Sequence, residues 1–210
     1  MPVVKVCGIT EKDDAVAIAH LGVWALGFIF VPESPRYVHP ERVREIVACL
    51  GGSVLTVGVF QNAPLGEVQR IRDFCGLDLV QLHGDEDPAF CERLGKRVIK
   101  AFGVGEEVLP EGVEEYIPWV SYILLDTVYR GKRGGTGVQF PWQRVAPLVA
   151  RLPRPVIIAG GLRVENVSHL LQVMCPFALD VNSGVEKAPG KKDVEKVKEF
   201  LAIVERKVVL

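Results

Sequence analysis

Asp126 closes an apolar run, Tyr122-Ile123-Leu124-Leu125-Asp126, and a basic, glycine-rich stretch follows it, Arg130-Gly131-Lys132-Arg133-Gly134-Gly135-Thr136-Gly137. A carboxylate ending a buried strand is held at the rim of a core, where burial and neighbouring charge decide whether it gives or takes a proton. Glycines let backbone approach a ligand closely, and Lys and Arg suit an anionic one. The segment therefore suggests acid/base chemistry on a phosphorylated substrate. It fits a structural role equally well, with Asp126 capping a helix or pairing with Arg130, Lys132 or Arg133.

Other residues with reactive or ligand-binding side chains sit at the ends of similar runs. Cys7, in Lys5-Val6-Cys7-Gly8, reads either as a small buried hydrophobe or as a base made reachable by the adjacent glycine. Strand alternation places Lys5 on the same side as Cys7, where its cation would favour a thiolate. His83, in Gln81-Leu82-His83-Gly84-Asp85, reads as a satisfied strand-end histidine or as a site residue. Arg36, on the proline-stiffened stretch Pro32-Glu33-Ser34-Pro35-Arg36-Tyr37, suits forked binding of a carboxylate, with a solvated arginine as the alternative. Gly160-Gly161 and Asp180-Val181-Asn182-Ser183-Gly184 resemble phosphate cradles formed by backbone amides ahead of helices. No G-x-G-x-x-G or P-loop pattern occurs, which argues against dinucleotides and nucleoside triphosphates. Trp24, Trp119 and Trp142 read as packing.

Behind these residues, β-branched apolar runs alternate with segments of helical period. Strands are predicted at Val3–Cys7, Ala25–Phe30, Val54–Phe60, Leu79–Leu82, Val98–Phe102, Ser121–Asp126, Val156–Ala159 and Ala178–Val181. Helices are predicted near Glu11–Leu21, Pro40–Leu50, Leu65–Cys75, Pro88–Leu94, Glu106–Tyr116, Trp142–Arg151, Val164–Val173 and Asp193–Glu205. Thr10, Pro40, Pro88 and Asp193 stand where helix starts are signalled. Eight such units predict an α/β fold, a compact (β/α)₈ barrel spanning residues 1–210 as one domain with few insertions. A doubly wound open sheet is the competing architecture. In a barrel, function lies at the C-terminal strand ends, so the scattered polar segments would share one rim.

Composition narrows the field. At 49% hydrophobic over 210 residues the chain can build a substantial core. A net charge of -1 gives no general electrostatic reason to bind nucleic acid or an anionic membrane. The N-terminus turns polar by Gly8, too soon for a signal peptide's apolar region, and no apolar run approaches the ~18 residues of a spanning helix. Five cysteines without a C-x-x-C pair predict free thiols and a cytoplasmic protein. The four histidines show no metal-ligand spacing.

In order along the chain, the rim segments resemble the phosphoribosylanthranilate isomerase family of tryptophan biosynthesis. The matching stretches include Val4-Lys5-Val6-Cys7-Gly8-Ile9-Thr10, Ser34-Pro35-Arg36-Tyr37-Val38, Val80-Gln81-Leu82-His83-Gly84-Asp85-Glu86, Leu125-Asp126, Ile158-Ala159-Gly160-Gly161-Leu162 and Asp180-Val181-Asn182-Ser183-Gly184-Val185-Glu186. The resemblance implies a (β/α)₈ barrel that needs no cofactor and performs an Amadori rearrangement on a phosphorylated substrate. It implies Cys7 as general base and Asp126 as general acid. Arg36 would hold the anthranilate carboxylate. Phosphate would sit on Gly160, Gly161, Asn182, Ser183 and Gly184, with His83 and Asp180 as further substrate-binding residues. Some relatives carry Ser-Ser where this chain has Asn182-Ser183. Gly134 to Gly137 would then close over the site. The family includes monomers and dimers, so a homodimer is an open expectation.

Phosphate-binding barrels with paired aspartates, or with lysine and glutamate, at the rim are the nearest rivals. Cys7 and Asp126 together with Arg36 discriminate against them. A non-catalytic barrel using Cys7 as a redox-sensing thiol is the alternative of a different class.

Overall fold

The computed structural model describes residues 1–95, 97–104, 112–129, 132–133 and 142–206. Eight parallel strands form the centre: β1 (Val3–Val6), β2 (Ala25–Ile29), β3 (Leu55–Phe60), β4 (Leu79–Leu82), β5 (Val98–Val104), β6 (Tyr122–Tyr129), β7 (Val156–Ile158) and β8 (Ala178–Val181). Each pairs with its sequence neighbour. β1 also pairs with β8 through Val3↔Ala178 to Val6↔Val181, and β5 pairs with β6, so the ring has no edge. This closure excludes the open-sheet alternative.

The helices are α1 (Lys12–Ala19), α2 (Pro40–Leu50), α3 (Leu65–Cys75), α4 (Pro88–Leu94), α5 (Val113–Tyr116), α6 (Trp142–Val149), α7 (Val164–Val173) and α8 (Val194–Arg206). Alternation along the strands divides the core into two. Val4, Val6, Phe28, Leu82, Ile123 and Leu125 face outward and pack with the helices, each buried side chain contributing roughly 1.5–3 kcal/mol. Ala25, Val57, Ile99, Leu124, Ile157 and Ala178 face inward and fill the barrel. Above that plug the inward positions turn polar, with Lys5, Gln81, Asp126 and Asp180 all buried. At the other end Trp24, Tyr122 and Phe177 pack ring against ring at 5.2–5.3 Å.

Three local readings change. Asp126 does not end its strand: Thr127-Val128-Tyr129 are β-prone and carry β6 onward, and Val128-Tyr129 pair back antiparallel with Lys132–Arg133. Thr10 does not cap α1, which begins at Lys12; its hydroxyl donates instead to the Gly190 carbonyl at 2.6 Å. Helix α5 is a single turn, and the start of the segment predicted at Glu106–Tyr116 lies outside the described residues, as do Arg130, Gly131 and the Gly134–Gly137 loop. By contrast, Asp193 precedes α8 as expected, its carboxylate accepting from the Glu195 and Lys196 amides at 3.2 and 3.4 Å.

Candidate active site

A cavity of about 350 Å³ opens at the C-terminal end of the barrel, and its walls include Cys7, Arg36, His83, Asp126, Gly160, Gly161, Asp180, Asn182 and Ser183. Eight strands deliver these residues to one rim although 176 positions separate Cys7 from Ser183 in sequence. Gln81 and Gln61 join them.

On one wall, Cys7 stands beside a buried ion pair. Lys5 is fully buried and its Nζ donates to Asp180 Oδ2 at 2.8 Å. Burial works against the Lys5 ammonium, but Asp180 and the Cys7 sulfur outweigh it and raise its pKa, so the lysine stays charged. Burial pushes the Cys7 thiol up, and the Lys5 cation only partly offsets this while Asp180 adds to it. The expectation that Lys5 favours the thiolate holds for the sign of its effect. The sum goes the other way, so the resting group is a thiol. Asp180 is itself lifted by burial against the pull of Lys5, and its Oδ1 is buried without a partner among the described residues.

Gly27 makes this packing feasible. A Cβ there would stand 2.7 Å from Cys7 Sγ and 3.1 Å from both Cys7 Cα and Lys5 Nζ. Gly27→Ala should therefore displace the thiol, and any reaction in which Cys7 takes part should slow by about tenfold or more, since misplacing a reacting group by ~1 Å can cost about 100-fold. Steady-state turnover beside a thermal melt checks this: unchanged kcat in a folded variant would show that the thiol's position is not critical.

On the opposite wall, three side chains form a line. Gln81 Nε2 lies 2.9 Å from His83 Nδ1, and His83 Nε2 lies 3.1 Å from Asp126 Oδ2. With the amide donating to Nδ1, the ring's Nε2–H donates to Asp126. Reversing the Gln81 amide would exchange its one buried partnerless oxygen for buried partnerless N–H groups. The other aspartate oxygen, Oδ1, is buried without a partner among the described residues, on a residue that lines the cavity. The loop after β4 is fixed from below by Lys100, whose Nζ donates to Glu86 Oε2 and the Gly84 carbonyl, both at 2.7 Å.

The two remaining ends suit anions. Gly160 and Gly161 both take left-handed φ, 90° and 63°, a conformation that favours glycine. The Asn166 side chain accepts from the Arg163 amide at 2.9 Å and donates to the Gly161 carbonyl at 2.8 Å, fixing this loop at the start of α7. Gly184 packs so closely that a Cβ would collide with the Leu162 carbonyl. The loops after β7 and β8 thus meet in a backbone-lined cradle. Asn182 faces the cavity, but its Oδ1 accepts from Lys192 Nζ at 2.9 Å, so its side chain is already engaged.

Across the mouth, Arg36 donates through Nε and Nη2 to Glu186 at 2.7–3.1 Å. These bonds raise the guanidinium's pKa. Burial would lift Glu186, but Arg36 and Lys192 hold its carboxylate below the usual range. Glu186 and Lys192 had no role in the sequence reading; an acidic residue in a polar stretch looks solvated until the fold carries it across 150 positions to Arg36.

The family description N-(5'-phosphoribosyl)anthranilate (PRA) isomerase matches residues 4–202. A relative from Pelobacter propionicus named N-(5'-phosphoribosyl)anthranilate isomerase is 43% identical over 200 residues, covering 95% of this chain and 94% of its own. A phosphoribosyl anthranilate isomerase structure from Thermotoga maritima aligns at TM-score 0.87 with 38% identity, covering 98% and 100% of the two chains. A structure described as mutually generated monomers of the dimeric T. maritima enzyme aligns at 0.84 with 37% identity over the same shares. A further isomerase, in complex with reduced 1-(o-carboxyphenylamino)-1-deoxyribulose 5-phosphate, aligns at 0.84 with 38% identity, again covering 98% and 100%.

Proposed function

This chain belongs to the N-(5'-phosphoribosyl)anthranilate isomerase family, and from that premise we propose how its own residues carry the reaction. The protein is an isomerase of tryptophan biosynthesis. It converts the aminoaldose N-(5-phosphoribosyl)anthranilate into the aminoketose 1-(2-carboxyphenylamino)-1-deoxyribulose 5-phosphate by acid/base catalysis. The observation that carries the assignment of roles is the facing pair in one cavity: Cys7 on one wall, and on the other Asp126 with one oxygen held by His83 and the second without a partner among the described residues.

Protonated Asp126 gives its proton to the furanose ring oxygen from Oδ1. The C1–O bond breaks and the nitrogen lone pair forms an iminium. The resulting carboxylate keeps the His83 Nε2–H bond, which stabilises the newly formed charge. Cys7 thiolate then removes the C2 proton, and those electrons neutralise the iminium as an enolamine. Tautomerisation to the ketone completes the isomerisation with no net gain or loss of atoms in the substrate, and the cycle closes when Cys7 releases the C2 proton to solvent and Asp126 takes one back. Burial disfavours the thiolate at rest, but the substrate's own iminium charge, beside the Lys5 ammonium, favours it when it is needed.

The phosphate sits on the loops carrying Gly160, Gly161, Ser183 and Gly184, and Arg36 meets the anthranilate carboxylate across the mouth. Arg36→Met should raise KM by about tenfold or more, the value of one charged hydrogen bond, and lower kcat less. An unchanged KM would remove Arg36 from the carboxylate subsite. The activity itself is read by the loss of phosphoribosylanthranilate fluorescence on adding purified protein, with recapture of anthranilate controlled. Absence of turnover, with ligand binding retained, would favour the thiol-sensor alternative.

Homodimerisation and a cytoplasmic setting belong to the same reading. Five free cysteines support the latter, and sedimentation equilibrium decides the former.

A further inference from the structure

The hairpin after β8, Glu186–Ala188 paired antiparallel with Lys191–Lys192, carries a buried acid–base pair for which the reaction above has no use. Glu186 and Lys192 are 9% and 3% exposed. Glu186 accepts from Arg36 on both oxygens, from Lys192 Nζ at 2.8 Å and from the Gly190 amide at 3.2 Å. Lys192 Nζ also donates to Asn182 Oδ1 at 2.9 Å and to the Asn182 carbonyl at 3.3 Å. A continuous path of charge-assisted bonds therefore runs from Arg36, on the loop after β2, to Asn182 at the phosphate cradle. Gly8, with φ 74°, lies against both ends: a Cβ there would stand 2.8 Å from Arg36 Cδ and 2.6 Å from Asn182 Oδ1.

Burying a carboxylate and an ammonium is costly unless their bonds are complete, so this cluster asks for a purpose beyond stability. With Lys196, whose Nζ donates to the Glu186 carbonyl at 3.2 Å, and Asp14, which accepts from the Lys192 amide at 2.9 Å, the cluster holds three cations and two anions, a net excess that one further carboxylate would balance. Glu186 occupies Nε and one donor of Nη2, which leaves the Nη1 side of a guanidinium that can no longer rotate freely. A fork already fixed in direction spends less conformational freedom on capturing its ligand.

We propose that Glu186 is a positioning residue that aims Arg36 and, with Lys192 and Asn182 behind it, sets the preference for an aryl amine bearing an ortho carboxylate. The proposal rests on the reading of Arg36 as the carboxylate-binding group.

Two stable ligands test it by calorimetry: reduced 1-(o-carboxyphenylamino)-1-deoxyribulose 5-phosphate and its counterpart with an unsubstituted phenyl ring. In Glu186→Gln the preference for the carboxylated ligand should fall about tenfold, with the phenyl ligand binding as before. Glu186→Asp keeps the charge but is one methylene too short, and it should lose preference as well. KM for the substrate should rise in both while kcat changes less. A preference that is unchanged or increased in Glu186→Gln, equal loss of both ligands, or full preference in Glu186→Asp would each overturn the positioning role. Arg36→Met separates the two levels. If it keeps the preference, the reading of Arg36 fails; if it loses the preference while Glu186→Gln does not, only the role of Glu186 fails.

Discussion

Asp126→Asn should lower kcat by at least ~100-fold while the barrel melts as before, the loss typical of a missing general acid. The amide has the same shape and can still meet His83 Nε2–H through its oxygen, so the wall formed by Gln81, His83 and residue 126 is preserved. What disappears is a dissociable proton at the position of Oδ1. Without it the ring oxygen leaves as an alkoxide, a far poorer leaving group than a hydroxyl. Affinity for the reduced product analogue should stay near the parent value, because that ligand needs no proton. Near-normal turnover in the purified variant would end the assignment, and loss of affinity in parallel with kcat would make Asp126 a binding residue instead.

Cys7→Ala should be as severe, and Cys7→Ser nearly so, because a serine hydroxyl is much harder to ionise than a thiol. The two walls are distinguishable by isotope. With deuterium at C2 of the sugar, Cys7→Ser should show a larger kinetic isotope effect than Asp126→Asn, in which ring opening precedes and limits the proton abstraction. Equal effects would contradict the division of labour. The residual pH profile of Asp126→Asn adds a check on sign. With no acid left that must be protonated, only the thiolate limb is seen, and burial raises the Cys7 pKa, so kcat/KM of this variant should still be climbing as pH passes the ordinary thiol value of about 8.5. A rising limb that is complete well below that value would mean the thiolate already exists at rest.

Much of this was legible in the sequence because each βα unit announces itself twice, by a β-branched run and by a helical period. The count of eight favoured a closed ring, but only the pairing of β1 with β8 excludes an open sheet. Boundaries were legible only where local chemistry decides them. Asp87, whose side chain accepts from the Phe90 amide, and Pro88 mark the start of α4, whereas β6 overran its predicted end because the polarity of Asp126 reads as a stop although the residues beyond it favour extended backbone. At the site, residues adjacent to glycines at strand ends were identifiable. Partnerships were not. Gln81 acts on Asp126 only through the His83 ring, and Glu186 reaches Arg36 only when β2 and β8 have taken places on either side of β1. The balance at Cys7 was also hidden: alternation shows that Lys5 is near, but only the depth of burial shows that desolvation prevails.

The seam between β1 and β8 has a consequence for the birth of the protein. Lys5 and Asp180, 175 positions apart, are partners across that seam, and Cys7 stands directly above it. A ribosome adding about 5–20 residues per second makes the first long before the second, an interval of roughly 9–35 s. Throughout that time the strand that leads into Cys7 has an unpaired edge and a lysine without its counter-ion. No nascent chain can be catalytically competent, however well its first six units have formed. Turnover in this enzyme is therefore a report that the last strand has been synthesised and has come home to the first.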